Sequence, residues 1–273
     1  MTRTAIIAGQ GALPGLLAAA MTARGEDFVI AEMEGFAASV KAPTLPFRIE
    51  RLVPFLDHLA DLSVDRVVFA GAIRRPRIEA ELIDHRTATL VPRLIAAMGK
   101  GDDAALREVI SIFEEWDFSV VGADHIAPDL VPGAGVLVGT PTEADRRDAA
   151  RGAEIVAALG PLDIGQGAVV AQGLCLAVET LPGTDAMLAF VAAHAPTFRP
   201  DPKGAGGVFY KAPKPGQDRR IDLPAIGVET VRRAAAAGLA GIAWEAGGVI
   251  LLDRKSVEDA AEAAGLFLWA REP

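Results

Sequence analysis

The sequence predicts an α/β protein, with an N-terminal Rossmann-like parallel sheet over residues 1–133 and a C-terminal mixed-sheet α/β domain over residues 134–273. Three observations carry this. Short apolar runs alternate with helix-period segments, and the first of them closes a β-loop-α-β unit. Pro, Gly and short apolar residues then alternate over Pro128–Gly139, which interrupts the pattern mid-chain. Beyond that break, Gln172-Gly173 stands between two apolar runs and reads as the turn of a hairpin.

Element by element, Thr4–Ala8 is a strand. After Gly9-Gln-Gly11, Pro14 suits the first turn of a helix, and Leu13, Leu16, Leu17, Ala20 and Met21 keep helical spacing up to Arg24-Gly25. Phe28–Ala31 is the second strand, Val53–Leu62 a helix, and Arg66–Ala70 a strand buried on both faces. Ala88–Met98 is an apolar helix, Ala104–Trp116 a helix with acidic residues capping its start, and Ser119–Gly122 a strand. In the second half, Thr142 opens a helix to Leu159. The hairpin pairs Ala168–Ala171 with Leu174–Thr180. A helix over Ala186–Ala195 follows, with Thr184-Asp185 as its N-cap pair. Gly207–Tyr210 is a strand, Gly227–Ala237 a helix, Gly241–Glu245 and Val249–Asp253 short strands, and Ser256–Ala264 the last helix.

Composition excludes several classes. A formal net charge of −9 argues against non-specific nucleic-acid binding, which needs a basic face. A local basic pocket is still compatible, drawn from Arg74, Arg75, Arg77, Lys211, Lys214, Arg219 and Arg220. Cys175 is the single cysteine, so neither an internal disulfide nor a cysteine-rich metal site is available, and its apolar run makes it a small core residue. No run of about eighteen apolar residues exists to span a membrane, and no signal peptide fits the strand-like start. The expectation is a cytoplasmic protein.

The segment Lys211–Pro224 packs six charged residues and three prolines into fourteen positions. Proline fixes φ and removes a donor, so this reads as a rigid loop that keeps cations and carboxylates close together. Cations neutralise phosphate, and carboxylates hold a metal or activate water. A solvated charged loop is the ordinary alternative. Gly9-x-Gly11 with Glu32 is half of a dinucleotide fingerprint, but Pro14 stands where its third glycine belongs. Glu179 is a strand-end carboxylate, and Asp185 stands at a helix start that suits either a cap or a phosphate. Asp222 is the best-placed carboxylate on the rigid loop. His58, His85, His125 and His194 show no ligand spacing, and no nucleophile elbow occurs.

An ordered set of motifs resembles the LpxI family, the UDP-2,3-diacylglucosamine diphosphatases of lipid A synthesis. The set comprises Ile6–Pro14, Ala70–Pro76, Gly101–Arg107, Asp163–Gln166, Val178–Met187 and Lys211–Gly227, spread over nearly the whole chain. The resemblance implies two α/β domains with the ligand between them, and Mg²⁺-dependent hydrolysis giving UMP and 2,3-diacylglucosamine 1-phosphate, with water attacking the phosphorus on the sugar side. It makes the aspartate of Asp222-Leu-Pro224 the catalytic carboxylate. On that basis Asp222 holds Mg²⁺ or orients water, assisted by Asp185 or Glu179. Lys211, Lys214 and Gln217 bind the phosphates; Gly11, Ala12 and Gly71 line the nucleotide or sugar-phosphate site; Gln166 and Thr184 make polar contacts. By pattern alone helix Ala88–Met98 is core; a diacyl substrate implies peripheral contact with the inner membrane, with that helix as the candidate lining of an acyl cavity and Arg74, Arg75, Arg77, Arg86 and Arg93 facing anionic lipid. A homo-oligomer is compatible with all of this. The competing readings are an NAD(P) oxidoreductase, a non-catalytic nucleotide-sugar or lipid carrier, and a nucleotidyl- or glycosyltransferase.

Overall fold

The computed structural model describes residues 2–73 and 78–273. Arg74, Arg75 and Arg77, expected to add to a basic pocket, lie outside the described residues. By contacts the chain divides into two compact units. One comprises residues 1–128 together with Asp218–Asp222, the other residues 129–217 and 223–273.

The first unit is built on five parallel strands. These are β1 (Thr4–Ala8), β2 (Phe28–Met33), β3 (Leu45–Phe47), β4 (Arg66–Ala70) and β5 (Ser119–Val121), in the order β3-β2-β1-β4-β5. That is the doubly wound order, with its switch point between β1 and β4. β1 is central and every residue in it is buried, as its Thr-Ala-Ile-Ile-Ala run requires. Helices α1 (Leu13–Arg24), α2 (Leu52–Asp61), α3 (Val91–Met98), α4 (Asp102–Glu115) and α5 (Ala123–Ile126) complete the unit. Leu52, Val53, Phe55, Leu56 and Leu59 form the buried face of α2 and pack with Val67, Ile110 and Phe113. β3 is absent from the sequence expectation. Only three residues long, it carries Pro46, which a sheet tolerates at an edge.

The ends of β1 and β4 meet through backbone hydrogen bonds. Gln10 and Ala72 exchange hydrogen bonds of 2.9 Å in each direction, and the Gly9 amide reaches Ala70 O at 2.8 Å. A Cβ on Gly71 would lie 2.6 Å from Gln10 O, and its φ of +89° is left-handed besides. Gly71→Ala is therefore expected to destabilise the protein by about 1–3 kcal/mol, seen as a lowered thermal midpoint. An unchanged midpoint would contradict this packing.

The second unit has a six-stranded mixed sheet. Its strands are β6 (Gly135–Val138), β7 (Gly167–Ala171), β8 (Leu174–Val178), β9 (Val208–Lys211), β11 (Gly241–Glu245) and β13 (Phe267–Arg271), in the order β6-β13-β11-β9-β7-β8. The β9-β11-β13 core is parallel, while β6, β7 and β8 pair antiparallel. β10 (Ala225–Ile226) and β12 (Ile250–Leu251) form a separate parallel pair. Helices α6 (Glu143–Leu159), α7 (Gly183–Phe198), α8 (Val228–Ala236) and α9 (Arg254–Ala264) cover the sheet. Trp244, Phe209, Leu188 and Ile242 are fully buried between these layers. Thr142 caps α6 in a reciprocal box with Asp145, as its sequence indicates. The β7–β8 turn places both Gln172 and Gly173 at positive φ, and the buried Asp148 carboxylate accepts their amides at 2.9 and 2.7 Å.

Several expectations change here. β6 lies within the stretch taken as an interruption, and β13 follows the helix expected to be the last element. Thr184 and Asp185 are not the caps of α7. Pro182 is the N-cap, so both residues stand inside the first helical turn. Lys211 ends strand β9 rather than opening the loop. Cys175 is exposed, because β8 is the edge strand of its sheet.

Candidate functional site

In the second unit, three elements bring polar side chains to one place: β9 delivers Lys211, the chain just past β8 delivers Glu179, and the first turn of α7 delivers Thr184. The loop after β9 carries Lys214 and Gln217, which have partners of their own. The Lys211 side chain is only 7% exposed. Its Nζ donates to Thr184 Oγ1 at 2.6 Å and stands 3.6 Å from Glu179 Oε2. A buried ammonium is costly unless paired, so this geometry is deliberate. Glu179 Oε2 is itself buried without a hydrogen-bond partner. Thr184 is in the opening turn of α7, where backbone amides have no intrahelical acceptor. A cation beside such a turn is suited to an anion, and a phosphate in particular.

Gln217 acts on the loop itself. Its Oε1 accepts from Gln166 Nε2 and from the Lys214 amide, both at 2.9 Å, while the Ala212 amide reaches Gln166 O at 3.0 Å. Lys214 Nζ pairs with Asp163. The two glutamines thus join the start of β7 to the turn after β9. Asp185 is exposed and lies 3.5 Å from Arg233 Nε. Beside the α7 start runs an apolar groove of about 310 Å³, lined by Ala177, Val178, Pro182, Gly183, Met187 and Phe190 among others. Leu181 is fully exposed next to it, and Phe190 is half exposed.

In the first unit, Gly11, Ala12 and Gly71 are all exposed at the carboxyl ends of β1 and β4. This is the switch point where open α/β sheets bind ligands. Gly11 has φ +101° and open space around its Cα, so a ligand can approach the backbone there. Glu32 ends up holding a loop, accepting the Ala38 amide at 2.8 Å.

Asp222 is exposed and belongs with the first unit, at the end of the segment Asp218–Asp222. Arg220 governs that segment. Its Nη1 reaches Glu114 Oε1 at 2.7 Å, and its Nη2 and Nε reach the Asp218 carboxylate at 2.7 and 3.0 Å. The Arg220 guanidinium holds the Asp218 carboxyl below its usual range, against the opposing effect of partial burial. A depressed value contributes stability that is complete above the ordinary carboxylate range and is lost as pH falls through the lowered value, so the pair persists at neutral pH. Ile221 packs against the first unit's apolar core. The sequence offers Arg220 to a basic pocket and gives no role to Asp218 or Glu114; the structure instead commits Arg220 to those two carboxylates. The Asp-x-Arg spacing is the only local signal, since Glu114 lies 106 residues away.

Two membrane-facing expectations find other partners. Arg86 pairs with Asp57, and Arg93 is held by Glu108 and, through two bonds, by Glu115. On α3 the apolar face is part of the core, with Leu94 and Ala97 buried. No helix among the described residues is long and apolar enough to cross a membrane. Among the described residues no three His, Cys, Asp or Glu side chains gather as a metal cluster. Mg²⁺ needs less than that, since one or two carboxylates suffice when substrate phosphates and water complete the shell. In the first unit the exposed carboxylate of Asp222 is an oxygen donor of the required kind.

Fold and polar groups together define a two-unit α/β protein whose second unit sets a buried cation against a helix start. Family models for the LpxI N-terminal and C-terminal domains match residues 3–130 and 133–269, and the chain belongs to the LpxI family. It is 40% identical over 276 aligned positions to the UDP-2,3-diacylglucosamine pyrophosphatase LpxI of Caulobacter vibrioides, covering 100% of this chain and 99% of that protein.

Proposed function

We propose that this chain hydrolyses the pyrophosphate bond of UDP-2,3-diacylglucosamine, giving UMP and 2,3-diacylglucosamine 1-phosphate for lipid A synthesis, with Mg²⁺ as cofactor. The observation that carries the reading is the Lys211–Thr184 pair at the start of α7, next to an apolar groove that shares Gly183 with that turn. A phosphate seat beside an apolar groove suits a lipid whose head is a sugar phosphate. Family membership and the 40% identical relative support the same substrate.

In this reading Lys211 and Thr184 bind a phosphate oxygen, and Lys214 adds positive charge from the loop. Gln166 and Gln217 keep that loop in shape. Gly11, Ala12 and Gly71 leave room for the nucleotide at the switch point. Asp222 holds the metal or orients the attacking water, and Glu179 and Asp185 are the further carboxylates on offer. Bound Mg²⁺ offsets charge that builds on the pyrophosphate. Water adds across the P–O–P bridge: its oxygen bonds to the phosphorus on the sugar side, the bridging bond breaks, and UMP departs with the bridging oxygen. Leu181 and Phe190 present apolar surface near the groove for peripheral contact with the membrane that carries the substrate.

Purified protein given UDP-2,3-diacylglucosamine and Mg²⁺ is expected to release UMP, and excess EDTA to stop it. Folded protein that binds the substrate yet releases nothing would favour a carrier and overturn the proposal.

A further inference from the structure

The segment that ends in Asp222 has two kinds of attachment. Its flanks are tied within the second unit, Gln217 by Gln166 and Pro224 by a 2.8 Å bond from the Ile250 amide to its carbonyl. The five residues Asp218–Asp222 make their contacts in the first unit. Three contacts among them are central here. Arg220 bridges Glu114 on α4 and Asp218, Ile221 enters the apolar core, and Gly122 after β5 lies close enough that a Cβ there would stand 3.5 Å from the Arg220 Cα. The Arg220 amide also donates to Asp218 at 3.0 Å, so carboxylate and guanidinium lock the turn from both ends.

We propose that Arg220 and Glu114 are positioning residues that fix the segment Asp218–Asp222 on the first unit and so set where the Asp222 carboxylate stands. The inference rests on the reading of Asp222 as the catalytic carboxylate. Neither Arg220 nor Glu114 is placed on substrate or metal; each acts through the backbone that carries Asp222. A guanidinium suits the task because its planar fork serves two carboxylates at once, and a lysine ammonium does not reproduce that geometry. Arg220 and Glu114 are 39% and 46% exposed, so the pair adds little to global stability. A small displacement of a reacting group, by contrast, lowers turnover steeply.

The test compares full-length Arg220→Ala, Arg220→Lys, Glu114→Ala, Glu114→Gln, the double Arg220→Ala/Glu114→Ala and Asp222→Ala for kcat, KM and thermal midpoint. Arg220→Ala and Glu114→Ala are expected to lose about ten- to a hundredfold in kcat with KM and midpoint near wild type. The double variant is expected to lose no more than Arg220→Ala alone. Glu114→Gln, which keeps an acceptor, should recover most of the activity, and Arg220→Lys should not. Wild-type kcat in Arg220→Ala beside an inactive Asp222→Ala would overturn the positioning role and spare the assignment of Asp222. A kcat loss that tracks a fall in midpoint would mark an ordinary structural pair and overturn it as well. Full activity in Asp222→Ala would remove the reading beneath the proposal, and the proposal with it.

Discussion

Asp222→Ala is expected to lower UMP release by about 10²–10⁴-fold, the range for removing a group that moves a proton or orders water at the reacting centre. The thermal midpoint should barely move, because Asp222 is exposed and the segment before it is anchored by Arg220 and Ile221. Substrate binding should survive, since the phosphate contacts assigned to Lys211 and Thr184 stand on other elements. This combination separates a catalytic carboxylate from a structural one. A rate near wild type would sink the role assigned to Asp222 whatever the rest of the site does.

Lys211→Met is expected to be the most damaging single change in the second unit. The Lys211 and Glu179 side chains are 7% and 12% exposed, and removing the cation leaves a buried carboxylate with its charge uncompensated. Breaking such a pair costs about 3–5 kcal/mol, enough to lower the thermal midpoint by many degrees. Phosphate binding should fall as well. The double variant Lys211→Met/Glu179→Gln tells the two effects apart. Removing both charges should return most of the stability, because a buried pair replaced on both sides is often near neutral. Activity should remain lost. Recovery of turnover in the double variant would mean that Lys211 serves the fold and not the phosphate.

How legible these features were depends on how local their causes are. β1, α1, β2 and β4 are marked by their own apolar runs, Pro14 and helical spacing, and the structure has them where the pattern puts them. The β7–β8 hairpin is likewise announced by Gln172-Gly173, a pair that accepts positive φ. β3 and β6 were hidden by the residues that make them tolerable edges, Pro46 in one and flanking glycines in the other. β13 is a five-residue run near the chain end, and its central place beside β11 comes from pairing with residues far away in sequence. Cys175 looked like core because its neighbours are apolar, but an edge strand exposes what a central one buries. The charged loop stood out through its prolines. That Lys211 belongs to a strand and meets Thr184, or that Arg220 reaches Glu114, depends on contacts across 27 and 106 residues, which spacing does not encode. The same holds for the roles of Arg86 and Arg93. Their acidic partners Asp57, Glu108 and Glu115 stand on neighbouring helices, and spacing does not announce them.

The most direct test of the central claim is product stoichiometry. UDP-2,3-diacylglucosamine and Mg²⁺ are incubated with the purified chain and no acceptor, and UMP and 2,3-diacylglucosamine 1-phosphate are quantified together. Equal amounts of the two products, formed in step with substrate loss, are the expected result. Products that form only when a sugar or alcohol acceptor is added would make the protein a transferase, and bound substrate recovered intact would make it a carrier; either outcome would contradict the account.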